Sequence, residues 1–426
     1  MMRLPPFLIL ALAALATTQQ PPPAEFIPNP RVGPGGSNTR FKDSPHFRIY
    51  NPTSDAVAAQ TISYLEAAHT CFVDDLKWRT PGLSYYLSDS NTTASSYHKI
   101  NIYQVDSLPG AAANTPVDLV LGLSYLNVVK GYMNSPEVVV HEFGHALTYS
   151  ARWWIDQYRT GAWWETVANF VADLYLTSPV CARARSKYNQ PEGQTIIDLK
   201  KVIGDSFQVI VDGTVNTGNY YQAWPFLMYL FNNPDKIPGL GMNVLPDMWT
   251  KYKRGSDETP LHVLERIMQG KKVQEVVARY WARMAFVDIG HLKAREKFER
   301  EKGGINYANL DSLGGGRWRV KSGRRPRYLG GNIIPLRTTT GGNVGVSVTG
   351  NTGPITVIMA VKSGNGSVRY VDLKDGSGQV VVAAGEEAAL VVVNTPNNLV
   401  MFDPFKLTGE TNTGVDYYLQ LTGATV

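Results

Sequence analysis

The sequence predicts an α+β chain in which a mixed sheet and a helical subdomain are followed by an antiparallel β-sandwich. Three observations predict it. Over residues 41–313, runs with strand alternation are interleaved with runs whose apolar residues recur every three or four positions. At Gly314-Gly315-Gly316 the pattern breaks, and Arg317, Arg319, Lys321, Arg324, Arg325 and Arg327 follow within a short span. From Tyr328 onward Gly, Thr, Asn and Val dominate, in short alternating runs separated by Gly/Asn turns.

The elements are justified in order. Residues 1–16 read as a signal peptide, with Arg3, an apolar run from Phe7 to Leu15 and the small-residue cleavage site Ala14-Leu15-Ala16. Residues 17–40 are rich in Pro, Gln, Gly and Asn and read as a flexible leader. Phe47 to Tyr50 is an expected strand, and Ser54 to about Leu76 an expected helix capped by Ser54 or Asp55. Ile100 to Val105 alternates as a strand, and Val117 to Val129 is a second extended stretch. An edge strand there would let an extended peptide pair with the sheet. A helix starts after Ser135, where Ser135 suits the cap, Pro136 the first turn and Glu137 the positive helix end. From Asp198 to Glu301 helical periods dominate, notably Tyr220 to Phe231, Leu261 to Met268 and Val273 to Phe286. Residues 314–327 then read as a basic linker and 328–426 as the sandwich, which serves either as an accessory binding module or as a structural cap.

Composition narrows the function classes. A chain of 426 residues, 43% hydrophobic and 18% charged, can build more than one core. A net charge of +5 is too mild to point to nucleic acid. No segment after the signal peptide is long and apolar enough for a membrane span. A secreted, extracellular monomer is expected. In an oxidising compartment Cys71 and Cys181 are expected to form a disulfide, two buried thiols being the alternative. Asn91-Thr92-Thr93 and Asn365-Gly366-Ser367 are glycosylation sequons. The arginine-rich stretch is a solvated linker, a protease-sensitive junction or a site for an anionic glycan.

The chemistry concentrates at His141-Glu142-Phe143-Gly144-His145, followed by Glu165 twenty residues after His145. Histidines four apart share one helix face, so both imidazoles can reach one tetrahedral metal. A carboxylate from a second helix supplies a third ligand and leaves a fourth position open, as in catalytic zinc sites. Glu142, beside the first ligand, can reach a water at that position. The alternative is an amphipathic helix with two histidines on its polar face. Gly144 inside the helix implies close approach of another backbone or of substrate. Glu165, Asn169 and Asp173 stand four apart on an otherwise apolar helix, which makes Asn169 and Asp173 candidates for supporting the histidine ligands. They could equally face solvent.

These residues resemble the gluzincin, thermolysin-like zinc metallopeptidases. His141 and His145 match the paired histidines and Glu165 the third ligand; Asn169 stands where that family has an acid, and Trp164 where it has asparagine. The chain also resembles a group of secreted, mainly fungal proteins sharing Pro45-His46-Phe47, the His-Glu-x-x-His helix, Glu165 to Asn169 and a strand-rich part from Asn332. The resemblance implies a zincin-like catalytic domain, a Zn2+ cofactor and a protein or peptide substrate, with Glu142 as general base. Tyr220 and Tyr221 are the first candidates for stabilising the oxyanion, followed by Tyr149 and Tyr158. Trp163 and Trp164 either line a subsite or pack. Two other expectations stand beside peptide hydrolysis: a zinc-dependent hydrolase directed at glycoprotein or cell-wall material, and a non-catalytic binding protein on a peptidase scaffold.

Overall fold

A computed structural model describes residues 22–34, 40–152, 154–155, 158–338 and 341–426. The expected signal peptide lies outside the described residues. The first half runs β1 (Phe41–Asp43), β2 (Phe47–Tyr50), α1 (Asp55–His69), β3 (Ile100–Val105), β4 (Ala113–Asn114), β5 (Val117–Asp118), β6 (Leu123–Ser124) and β7 (Leu126–Val129). The helices α2 (Pro136–Ser150), which carries His141 and His145, and α3 (Gly161–Thr177), which carries Glu165, come next. A mixed sheet has the order β1-β2-β3-β7-β4, with β2, β3 and β7 mutually parallel and the two outer strands antiparallel. Parallel neighbours need a crossover, and α1 supplies the one between β2 and β3. Ser54 caps α1 by accepting from Val57 N–H.

One sheet face packs on α1 and α2 through Phe47, Ile49, Leu65 and Phe143. Residues 22–34 are tied to the same sheet. Asn101 Nδ2 donates to the carbonyls of Asn29 and Val32, and the Tyr103 hydroxyl donates to Val32 O. Phe26, 1% exposed, packs beside Leu83 and Tyr97. This corrects the expectation of a flexible leader over its described part: Phe26 and Val32 bury in a segment whose composition is otherwise that of a linker.

The extended stretch expected from Val117 to Val129 is broken. Asp118 Oδ1 accepts from Val120 and Leu121 N–H and Gly122 has φ of 68°, which turns β5 back onto β6. The strand leading to α2 is β7, an interior strand, and the sheet edge on that side is β4.

The helical part comprises α4 (Ala182–Lys187), α5 (Leu199–Val202), α6 (Asn219–Gln222), α7 (Trp224–Asn232), α8 (Val244–Thr250), α9 (Pro260–Ile267), α10 (Val273–Met284) and α11 (Leu292–Glu301). The strands β8 (Leu310–Gly314), β9 (Arg317–Val320), β10 (Gly331–Leu336), β11 (Gly342–Thr349), β12 (Ile355–Lys362), β13 (Val368–Asp372), β14 (Ser377–Val382), β15 (Glu387–Asn394) and β16 (Tyr418–Thr422) follow. They form two antiparallel sheets, β10-β15-β12-β13 and β14-β11-β16-β9-β8. Alternation sends Leu390 and Val392 of β15 into a cluster shared with the second sheet, and Val391 and Val393 into the core of the helical half. Sheet β10-β15-β12-β13 is therefore covered on both faces, which accounts for the nearly uninterrupted apolar run of β15.

The expected linker 314–327 proves to be structured. Gly314-Gly315-Gly316, all at positive φ, turn β8 into β9. Four of its five arginines have carboxylate partners: Arg319 and Arg325 meet Asp416 at 2.6 Å each, Arg324 meets Asp205 at 3.5 Å and Arg327 meets Asp212 at 4.0 Å. These pairs neutralise much of the charge that suggested an anion site. The strand-rich region begins at Leu310 rather than Tyr328, and α10 packs on it.

Candidate metal centre

The first turn of α2 sits as the sequence implies, with Pro136 opening the helix. The cap differs in detail. Val138 and Val139 N–H donate to the main-chain carbonyl of Ser135, and the Ser135 side chain makes no capping bond. Helix α3 crosses α2 at Gly144. A Cβ built there would lie 2.8 Å from Ala168 Cα and 3.1 Å from Val171 Cβ. The small residue thus serves backbone approach, and that approach brings Glu165 over the two histidines.

His141 Nε2 and His145 Nε2 stand 3.1 Å apart, and Glu165 Oε2 lies 3.2 Å from the first and 3.4 Å from the second. Ligands at about 2.0–2.1 Å from a tetrahedral ion are separated by roughly 3.3 Å along each edge. The triangle has that size. Among the described residues this is the group of three His, Cys, Asp or Glu side chains able to hold a metal.

The neighbouring hydrogen bonds fix which ring nitrogen faces the triangle. Asn169 Nδ2 donates to Tyr221 O at 2.6 Å, so its Oδ1 is the atom 2.7 Å from His141 Nδ1. Nδ1 must donate there, which leaves the Nε2 lone pair for a cation. Electrostatics agree. Burial disfavours the Glu165 carboxylate, yet its contacts with His141 and His145 outweigh burial and hold it well below the usual carboxylate range. His141 is disfavoured as a cation by burial, but Glu165, Glu142 and Asn169 raise it above the ordinary imidazole value. The negative charge of Glu165 between two imidazoles gives the cluster the electrostatics of a candidate cation site.

Glu142, 5% exposed, lies on the buried side of α2. Thr115 Oγ1 is 2.6 Å from Glu142 Oε2 and 3.0 Å from the Glu142 carbonyl. Thr115 carried no signal in the sequence. It follows a two-residue strand too short to register as alternation.

Of the aromatic candidates, Tyr221 stacks on His141 at 6.4 Å between ring centroids. Burial first, then Glu165, raises its hydroxyl well above the ordinary tyrosine value, so it stays a donor. Tyr220 packs on Tyr221 and Phe405. Tyr149 abuts Trp164, and burial followed by Glu165 raises it too. Tyr158 is 84% exposed, on the loop before α3. Trp163 is core, beside Trp154.

Asp173 does not support His141 or His145. It is fully buried and accepts from His291 Nε2 at 2.5 Å, Thr195 Oγ1 at 2.7 Å and Ile196 N–H at 2.8 Å. Ala294 N–H donates to His291 Nδ1, so Nε2 carries the proton. The reason is helical geometry. At 3.6 residues per turn each step of four drifts by about 40°, so Asn169 stays beside Glu165 while Asp173 is rotated by about 80°. Asp173 ties α3 to the start of α11 instead.

Cys71 and Cys181 are joined, linking the turn after α1 to the turn after α3 across 110 residues of sequence. Asn91 and Asn365 are both exposed; Asn365 Oδ1 accepts from Ser367 N–H in a turn. Among the described residues no helix is long and apolar enough to cross a membrane.

A search of curated proteins finds no match to the chain. A family model does match it over residues 48–425, and the chain belongs to that family, DUF6055, a family of unknown function.

Proposed function

We propose that this chain is a secreted zinc-dependent metallopeptidase in which His141, His145 and Glu165 hold the ion and Glu142 is the general base. The observation that carries the reading is the triangle of 3.1, 3.2 and 3.4 Å between the donor atoms, beside a buried glutamate on the same helix. Two imidazoles and one carboxylate form a donor set suited to zinc, with room for a fourth ligand. When bound, zinc supplies Lewis acidity and brings the pKa of a water down towards about 7.

The chain's own residues do the rest. Glu142 takes the proton from the attacking water and returns it to the leaving amine. Asn169 keeps His141 in the tautomer that presents Nε2. Tyr221, whose ring stacks on His141 at 6.4 Å between centroids, is the candidate donor to the developing oxyanion. The open side of β4, at the sheet edge next to α2, offers main-chain groups to an extended peptide. The reading takes the mixed sheet with α2 and α3 as zincin-like, with the gluzincin ligand pattern, and the two C-terminal sheets as a β-sandwich. The Cys71–Cys181 bond supports an oxidising, extracellular setting.

Digestion of a peptide library by wild type and Glu142→Ala tests it. Cleavage by wild type and a loss of about a hundredfold or more in the variant, with zinc and fold retained, are expected. A variant as active as wild type would overturn the assignment.

A further inference from the structure

We infer that Thr115 is a positioning residue for Glu142, a role that rests on the peptidase reading above. The hydroxyl carries one hydrogen and faces two oxygens of the same residue, the carboxylate Oε2 at 2.6 Å and the main-chain carbonyl at 3.0 Å. The nearer and charged acceptor takes the hydrogen, because a hydroxyl-to-carboxylate bond is the shorter and stronger kind. Among the described residues, Thr115 is the side chain bonded to the Glu142 carboxylate, and it engages Oε2 alone. Oε1 is thereby the oxygen presented for the proton of the attacking water.

Thr115 is itself held on both sides. Before it, Ala113 and Asn114 pair with Val128 and Asn127 of β7. After it, Pro116 fixes the backbone and its carbonyl accepts from Tyr125 N–H at 3.1 Å. The strand edge that would receive a peptide and the group that would abstract the proton are thus coupled through one hydroxyl. A glutamate has three side-chain torsions to restrain, and a carboxylate displaced by about 1 Å costs a proton transfer much of its rate. The Cβ and methyl of Thr115 fill the same space in valine, so the hydroxyl can be removed with little change in shape.

The test uses the full chain loaded with zinc and a quenched fluorescent peptide chosen from those the wild type cleaves. Thr115→Val is expected to lower kcat about tenfold or more with KM within about twofold, while zinc stoichiometry and melting temperature stay at wild-type values. Thr115→Ser, which restores the hydroxyl, is expected to recover kcat to within about threefold. A purely structural threonine would change stability or zinc content instead, and serine would not selectively restore kcat. Thr115→Val at wild-type kcat, or loss of zinc from that variant, overturns the inference. In that case an inactive Glu142→Gln control shows that the peptidase reading survives. A wild-type chain that carries zinc and cleaves no peptide overturns both together.

Discussion

Replacing Gly144 with alanine asks how tightly the metal triangle depends on the crossing of α2 and α3. The new Cβ would sit 2.8 Å from Ala168 Cα, a main-chain atom that cannot rotate away, and 3.3 Å from Ala168 O. Comfortable carbon–carbon contact is about 3.5–4.0 Å, so the helices must part by about 0.7–1.2 Å. Alanine gains about 1 kcal/mol of helix propensity over glycine, and overpacking costs about 1–3 kcal/mol. The net is a destabilisation of up to about 2 kcal/mol. The larger effect falls on the metal. Glu165 lies one turn before Ala168 on the displaced helix, and a separation of that size carries its Oε2 beyond the roughly 3.3 Å edge that a tetrahedral ion spans. Zinc affinity should fall about 10–100-fold. Competition against a fluorescent chelator measures the affinity, and urea denaturation of the metal-free protein measures the stability. A Gly144→Ala chain that binds zinc as tightly as wild type and is more stable would refute the reasoning, because only the propensity gain would then have been expressed.

Two further predictions concern stability. His69 is wholly buried, stacked on His46 at 3.8 Å with Phe26 and Phe47 edge-on, and burial followed by the charges of His46 and Lys187 holds it well below the ordinary imidazole range. The unfolded chain protonates it near pH 6.5 and the native chain does not, so its contribution is complete above that pH and is lost as pH falls. Between pH 7.5 and 5.5 this site costs on the order of 1 kcal/mol, which His69→Phe should remove from the pH dependence of urea denaturation; an unchanged dependence would count against it. The Cys71–Cys181 bond closes a loop of 110 residues, so replacing both with serine should destabilise by about 4–5 kcal/mol on the chain-entropy account, and a shift under about 1 kcal/mol in the same assay would contradict that.

The helices that carry the candidate metal ligands were legible because their signals are local. Pro136 fixes the start of α2, the four-residue histidine spacing follows from the helical period, and Gly144 announces a close neighbour that is now identified as Ala168. Cys71 and Cys181 had no other partners to choose from. What could not be read depends on contacts between distant residues. Arg319, Arg324, Arg325 and Arg327 look like a solvated cluster until Asp205, Asp212 and Asp416 are folded against them. Asp173 seemed part of a polar stripe because a spacing of four hides the rotation accumulated over two steps, and its partner His291 lies on another helix cap. The dependence of the strand-rich region on the helices was hidden too, since alternation in β15 is masked when both faces are buried. Removing residues 328–426 would take Val391 and Val393 away with β15 and expose the α10 surface they cover, so the region packs as part of the helical core and not as a detachable accessory.

The most direct test of the metal centre is elemental analysis of the purified chain alongside Glu165→Gln. The expected result is one zinc per wild-type chain and less than about a tenth of that in the variant, because two imidazoles alone leave the ion without its third protein ligand. Equal zinc in both chains, or none in wild type prepared with zinc supplied, would contradict the account.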